Sequence, residues 1–232
     1  MLTAALIALA FLLGSIPFGL IIGKARGIDI RQHGSRNIGA TNVGRVLGRR
    51  WGFLCFALDF AKGFAPTLFS SWLLGTLGTL EAPRNAVWSG LAVMAAAIFG
   101  HMFSPWVGFK GGKGVATGFG ALAAIWPALG VPVILAFVAW AAVLASTRYM
   151  GLASCIAAAI LPVGVWFAPA AASWIGWLSR EGAARADVFP HLCVSTLLAG
   201  FVIWKHRGNI RRMIEGRELR LGGSGAAPPA SN

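Results

Sequence analysis

Three short segments of this chain combine cations, amides, a hydroxyl and glycines in the manner of an anion-binding site. The first is His33-Gly34-Ser35-Arg36-Asn37-Ile38-Gly39-Ala40-Thr41-Asn42, with Arg45 beyond it. The second is Lys110-Gly111-Gly112-Lys113-Gly114. The third is Lys205-His206-Arg207-Gly208-Asn209, followed by Glu215 and Glu218. Glycines let a backbone approach a ligand closely and adopt positive φ. Consecutive N–H groups in such turns form anion nests. The second segment lacks the GxxxxGK[ST] spacing, which argues against nucleotide hydrolysis. The histidines are His33, His101, His191 and His206, and none begins an HxxxxD or HExxH pattern. Neither a Ser-His-Asp arrangement nor paired catalytic carboxylates can be assembled from plausible loops. Cys55, Cys155 and Cys193 fall in apolar stretches without metal-ligand spacing, and the phosphate-holding chemistry of these segments calls for no metal or organic cofactor. The chemistry that suits these residues is the holding of phosphates rather than the making of a strong nucleophile.

Bland roles compete with this one. Basic loops set membrane topology and attract anionic headgroups, which accounts for Arg49, Arg50, Arg207, Arg211 and Arg212. A glycine-rich turn can be only a turn. Topology, however, needs no hydroxyl or amide, so Ser35, Asn37 and Asn42 call for a further explanation. His101, at a helix end, is either a carbonyl cap or a site residue. Asp59 and Lys62, one helical turn apart, are most simply an ion pair.

The elements that must position these segments are membrane helices. The chain has 232 residues, 57% hydrophobic and 12% charged, more apolar surface than a soluble domain can bury. Apolar spans run over about 2–23, 51–74, 87–103, 150–169 and 189–204, each near the ~20 residues a crossing needs. Pro17 kinks or breaks the first span, which a membrane helix tolerates if the freed carbonyls find partners. A signal peptide would carry a positive n-region, and here the strongest basic block follows the apolar run instead. Residues 119–147 are long for one span and short for two. Two short tilted helices turning near 127–132 are expected, with a single long span as the alternative. The net charge of +13 resides in residues 24–50, 104–118, Arg148 and 205–220. Basic blocks between spans mark the cytoplasmic side, and that punctuation argues against a nucleic-acid partner. Trp174 and Trp177 suit an outer membrane interface. The expected fold is all-α: a polytopic membrane bundle of seven transmembrane helices, N-terminus out and C-terminus in. The tail, residues 223–232, reads as disordered. The three polar segments then share the inner face.

The motifs GSIPFG (14–19), GSRNIGATNVGR (34–45), LDFAKG (58–63), GHMFSPWVGFKGGKGVAT (100–117) and HRGNIRRMIEGRE (206–218) resemble those of the PlsY family of bacterial acyl-phosphate–glycerol-3-phosphate acyltransferases. The resemblance covers about residues 3–222, which makes 1–222 a single membrane-embedded acyltransferase domain. It implies seven transmembrane helices in the bacterial inner membrane and an active site facing the cytoplasm. The implied reaction moves a fatty acyl group from acyl phosphate to the 1-position of glycerol 3-phosphate, giving lysophosphatidate and phosphate without acyl-CoA. That fits the missing HxxxxD, the base of soluble and peripheral glycerolipid acyltransferases. By matching positions, Ser35 and Arg45 correspond to the family's essential first-motif pair and Lys113 to its phosphate-binding lysine. His206 and Asn209 correspond to the third-motif pair, and Glu218 to a supporting carboxylate. Asn37, Gly39, Thr41, Asn42, Lys110, Gly111, Gly112, Gly114 and Ser154 are the implied substrate-binding positions. Arg36 departs from the family, which usually has Gly there. Implied partners are the two substrates, membrane lipids and a soluble enzyme that makes acyl phosphate. A donor phosphate oxygen or His206 could take the hydroxyl proton. A transporter or channel for a phosphorylated anion is the rival class. It predicts polar residues at mid-membrane and repeat-like halves, and the sequence offers neither.

Overall fold

The computed structural model describes residues 1–174, 176, 179, 182 and 186–222. Trp177, the charged residues Arg180, Glu181 and Arg185, and the tail 223–232 lie outside the described residues. Among those described, every regular element is a helix. In chain order the α-helices are α1 (Leu2–Ser15), α2 (Phe18–Ala25), α3 (Ala40–Leu47), α4 (Arg49–Leu73), α5 (Arg84–Met102), α6 (Val115–Ala123), α7 (Gly130–Thr147), α8 (Met150–Trp174), α9 (Phe189–Lys205) and α10 (Arg207–Ile214), with short 3-10 turns at Ile30–Gln32 and Pro105–Val107. Among the described residues, five stretches are long and apolar enough to cross a membrane: Leu2–Ala25, Arg49–Leu73, Arg84–Val107, Gly130–Thr147 and Met150–Trp174. Phe189–Lys205 is a shorter apolar helix.

The first span breaks at Ile16-Pro17, between α1 and α2. Proline cannot donate to the helix ladder and clashes with the preceding turn. The freed carbonyls find side-chain donors: Ser104 Oγ donates to Ser15 O at 2.6 Å, and Lys62 Nζ donates to Ile16 O at 2.6 Å. Residues 124–129 interrupt the 119–147 stretch, a few positions before the expected turn at 127–132. Pro132 lies in the first turn of α7, where its missing N–H costs nothing, so it starts a helix rather than marking the bend.

Helix contacts form where small residues let backbones touch, the usual solution when lipid removes any hydrophobic drive between helices. Gly14 of α1 lies on the Ala97 carbonyl of α5, and Gly100 of α5 on the Phe11 carbonyl of α1. Gly63 of α4 meets the Thr117 carbonyl of α6, and Gly120 of α6 meets that of Phe60. A larger core gathers Met94, Ile98 and Met102 of α5 with Leu122, Leu129, Val133, Leu161 and Leu198 from the second half of the chain. The three polar segments follow the ends of α2, α5 and α9.

Candidate active site

The first loop is shaped from within. Asn42 is 1% exposed and its amide is fully engaged. Its Oδ1 accepts the Ser35 N–H at 2.8 Å. Its Nδ2 donates to Ile30 O at 3.0 Å and His33 O at 3.1 Å. Asn37 Oδ1 accepts the Gly39 N–H at 2.8 Å, an Asx turn that leads into α3. Gly34 has φ +58° and faces Asn42 Oδ1 so closely that any side chain there would collide with it. These two amides therefore build the loop. Ser35 stays exposed on its rim, and Thr41 and Arg45 follow on α3. Burial lowers the Arg45 pKa, Glu218 opposes that shift and Arg212 adds to it. Arg45 thus lies within electrostatic range of the third segment.

Arg36 adopts φ +60°, a left-handed conformation that costs a side-chain-bearing residue about 1–2 kcal/mol. Arg36→Gly removes that strain and adds freedom to the unfolded chain, worth about 0.4–1 kcal/mol in the other direction. The expected result is a net gain near 0.5–1 kcal/mol, read as a higher thermal midpoint with turnover unchanged. A fall in turnover would instead assign Arg36 a substrate contact.

The second loop rests on the end of α5. Gly112 N–H donates to His101 O at 3.1 Å. A side chain at Gly111 would collide with His101 O, and one at Gly112 with His101 Nε2. Gly114 takes φ +80° and leads directly into α6. Lys110 is exposed, while Lys113 is partly buried and turned toward the third segment.

There Lys113 Nζ donates to Asn209 Oδ1, and Asn209 Nδ2 donates to Glu218 Oε1. Arg212 Nε closes the chain on Glu218 Oε2 at 2.7 Å. Gly151 of α8 makes the room: a Cβ there would lie 2.7 Å from Asn209 Cβ. Burial lowers the Lys113 pKa to about 8, Glu218 opposes this, and Arg212 and Arg45 contribute to the lowering. His206 is 2% exposed. Burial, and then Lys113, lower its pKa to about 4. Its Nδ1 lies 2.8 Å from Val202 O, so a neutral ring donates there and leaves Nε2 without its proton. Ser154 Oγ donates to Met150 O at 2.8 Å. Ser154 and Gly114 line an apolar pocket together with Leu122, Val133, Ala157 and Leu161.

The structure thus brings Lys113, Asn209, Glu218 and His206 together, with Arg45 within electrostatic range of them. Asn37 and Asn42 act as scaffold, and Ser35 and Lys110 stand at the rim. Sequence reasoning did not place Arg212 in this network. Its spacing of six from Glu218 is not a helical-face spacing, and the turn after Ile214 brings the two side chains together. Gly151 also escaped notice, because only the fold reveals that it faces Asn209.

Comparison with known proteins gives concordant matches. The sequence profile of a family described as glycerol-3-phosphate acyltransferase matches residues 4–216. A glycerol-3-phosphate acyltransferase of Thermosynechococcus vestitus is 40% identical over 221 residues, covering 93% of each chain. One of Aquifex aeolicus is 37% identical, covering 93% of this chain and 97% of its own. A crystal structure of PlsY (YgiH), an integral membrane glycerol 3-phosphate acyltransferase in its glycerol 3-phosphate form, superposes with TM-score 0.79 at 35% identity over 96% of each chain. The lysophosphatidic acid form superposes with TM-score 0.76 at 34% identity over 95% of each.

Proposed function

Since the chain belongs to the glycerol-3-phosphate acyltransferase family, we propose that its pocket moves a fatty acyl group from acyl phosphate to the 1-hydroxyl of glycerol 3-phosphate, giving lysophosphatidate and phosphate. The observation that carries this is the contact of Lys113 with Asn209, from two separate segments, within electrostatic range of Arg45 from the third. The relatives with solved structures hold glycerol 3-phosphate and lysophosphatidic acid, which supports the acceptor and the product.

The donor is a mixed anhydride, so its phosphate already leaves well. The obstacle is the repulsion of two phosphates in a site of low dielectric. Lys113 and Arg45 offset that charge and align the reactants. The acceptor hydroxyl oxygen forms a bond to the acyl carbon while the bond from that carbon to the bridging phosphate oxygen breaks. The hydroxyl proton passes to an oxygen of the departing phosphate. His206 is a poor base for this step, because a pKa of about 4 lies well below the useful range near neutrality. His206→Gln is therefore expected to keep kcat within about tenfold of wild type, less than the 10²–10⁴ of a general base. Its acid limb should persist, since substrate phosphate titrates near 6. A loss beyond about 10³-fold would restore His206 as the base. The apolar pocket beside Ser154 would take the acyl chain.

Seven crossings are proposed, from α1–α2 together, α4, α5, α6, α7, α8 and α9, with the N-terminus outside and the C-terminus and active site at the cytoplasmic face of the inner membrane. The basic loops support this orientation. Arg148 O accepts the Leu221 N–H at 2.8 Å, and Leu221 lies close in sequence to Glu218. Residues 114 and 148 are therefore at the same end of the bundle, which supports an out-and-back path for α6 and α7. A soluble enzyme that makes acyl phosphate would supply the donor from that face. The test is purified protein with both substrates, following phosphate release. Release that requires glycerol 3-phosphate supports acyl transfer. Release without it, or none, overturns the proposal.

A further inference from the structure

The mechanism leaves unused a charged cluster deep among the helices. Asp59 and Lys62 of α4 and His101 of α5 are 2%, 7% and 4% exposed. Lys62 Nζ lies 2.8 Å from Asp59 Oδ1, and His101 Nδ1 lies 3.7 Å from the same oxygen. Burying such charges carries a desolvation cost of several kcal/mol per ion, and apolar residues of similar volume often serve stability as well or better. The positions of these groups suggest what an apolar pair could not supply.

Lys62 also donates to Ile16 O at the break in the first span. Beside it, Trp106 Nε1 donates to Ser15 Oγ at 2.8 Å, and Ser104 holds Ser15 O. The break fixes where α2 begins. Gly19 of α2 then lies directly on the Ile38 carbonyl of the first loop. On the other side, His101 supports the second loop from beneath, through its carbonyl to Gly112 N–H and its ring against Gly112. One cluster therefore reaches both phosphate-holding loops, through the Lys62 hydrogen bond on one side and through the packing of the His101 ring and its main-chain carbonyl on the other.

We propose that Asp59, Lys62 and His101 are positioning residues that set the register of the Ser35 and Lys113 loops relative to each other. They touch neither substrate. They act by holding the α1–α2 break and the Gly111-Gly112 turn at a fixed separation, on which the shared grip of the two loops on glycerol 3-phosphate depends. The proposal rests on the acyltransferase reading of the site.

The test assays the purified full-length protein with acyl phosphate and glycerol 3-phosphate. Asp59→Leu/Lys62→Met removes both charges together and keeps the volume. His101→Gln keeps a neutral polar side chain. Each is first checked by gel filtration and thermal unfolding. The expected result is a KM for glycerol 3-phosphate raised about tenfold in both, with kcat within about threefold. A lowered thermal midpoint with both KM values unchanged would overturn the proposal and leave a purely structural ion pair. Should the double variant not fold, His101→Gln decides by the same KM criterion. A wild type that releases no phosphate refutes the acyltransferase reading. An active wild type with an unaltered KM in His101→Gln refutes only the positioning role.

Discussion

Lys113→Met is expected to lower kcat/KM by about 10²–10³-fold, the loss typical of removing one preorganised group that stabilises developing charge. Methionine keeps the apolar stem, so the change isolates the ammonium. That ammonium contacts the Asn209 amide rather than a carboxylate, while Glu218 is engaged by Asn209 and Arg212. The charge of Lys113 therefore stays available to the substrates. Its pKa of about 8, against an ordinary 10.5, gives a second readout. In the free enzyme the group loses its proton as pH rises through about 8, so kcat/KM should fall across that range. Stability should move the other way. Between about 8 and 10.5 the unfolded chain binds more protons at this position than the folded one, so stability rises with pH there. Lys113→Met should lose both dependences. The measurements are initial rates of phosphate release and thermal midpoints from about pH 7 to about pH 10. An unaltered alkaline limb in the variant would show that another group titrates.

The three loops were legible because residue type alone set them apart. Lysines and arginines beside spans are ordinary, but Ser35, Asn37, Asn42 and Asn209 have no topological use. What type alone could not distinguish was a ligand contact from a scaffold contact. An amide at position 42 reads the same whether it meets a phosphate or, as here, the backbone at Ser35, Ile30 and His33. The break at Pro17 was legible from the missing donor. Its partners were not, because Lys62 and Ser104 come from 46 and 89 residues away. The bend before α7 fell earlier than expected because a proline can open a helix as readily as interrupt one. The Asp59–Lys62 pair was legible from its spacing on one helix. Its tie to both loops was not, since that depends on how α1, α4 and α5 pack.

Arg45→Lys is the sharper test of how the site holds phosphate, because it keeps the charge and changes only the shape of the cation. Arg45 lies in the last turn of α3, and among the described residues no carboxylate lies within ion-pair distance of its guanidinium. Arg212 provides the contrast, since its guanidinium is already bound to Glu218 at 2.7 Å. A guanidinium meets a phosphate with two parallel N–H bonds in a fixed fork, and a lysine offers a single point charge on a flexible stem. If Arg45 clamps a substrate phosphate, Arg45→Lys should lower kcat/KM about 10²-fold with little change in thermal midpoint. Arg212→Lys should act chiefly through the Glu218–Asn209 chain. It should lower the thermal midpoint and reduce turnover less, because Arg212 holds Asn209 in place rather than the substrate. Near-normal turnover in Arg45→Lys would mean that Arg45 contributes only its charge. The bidentate grip would then have to come from the backbone nests of the first two loops.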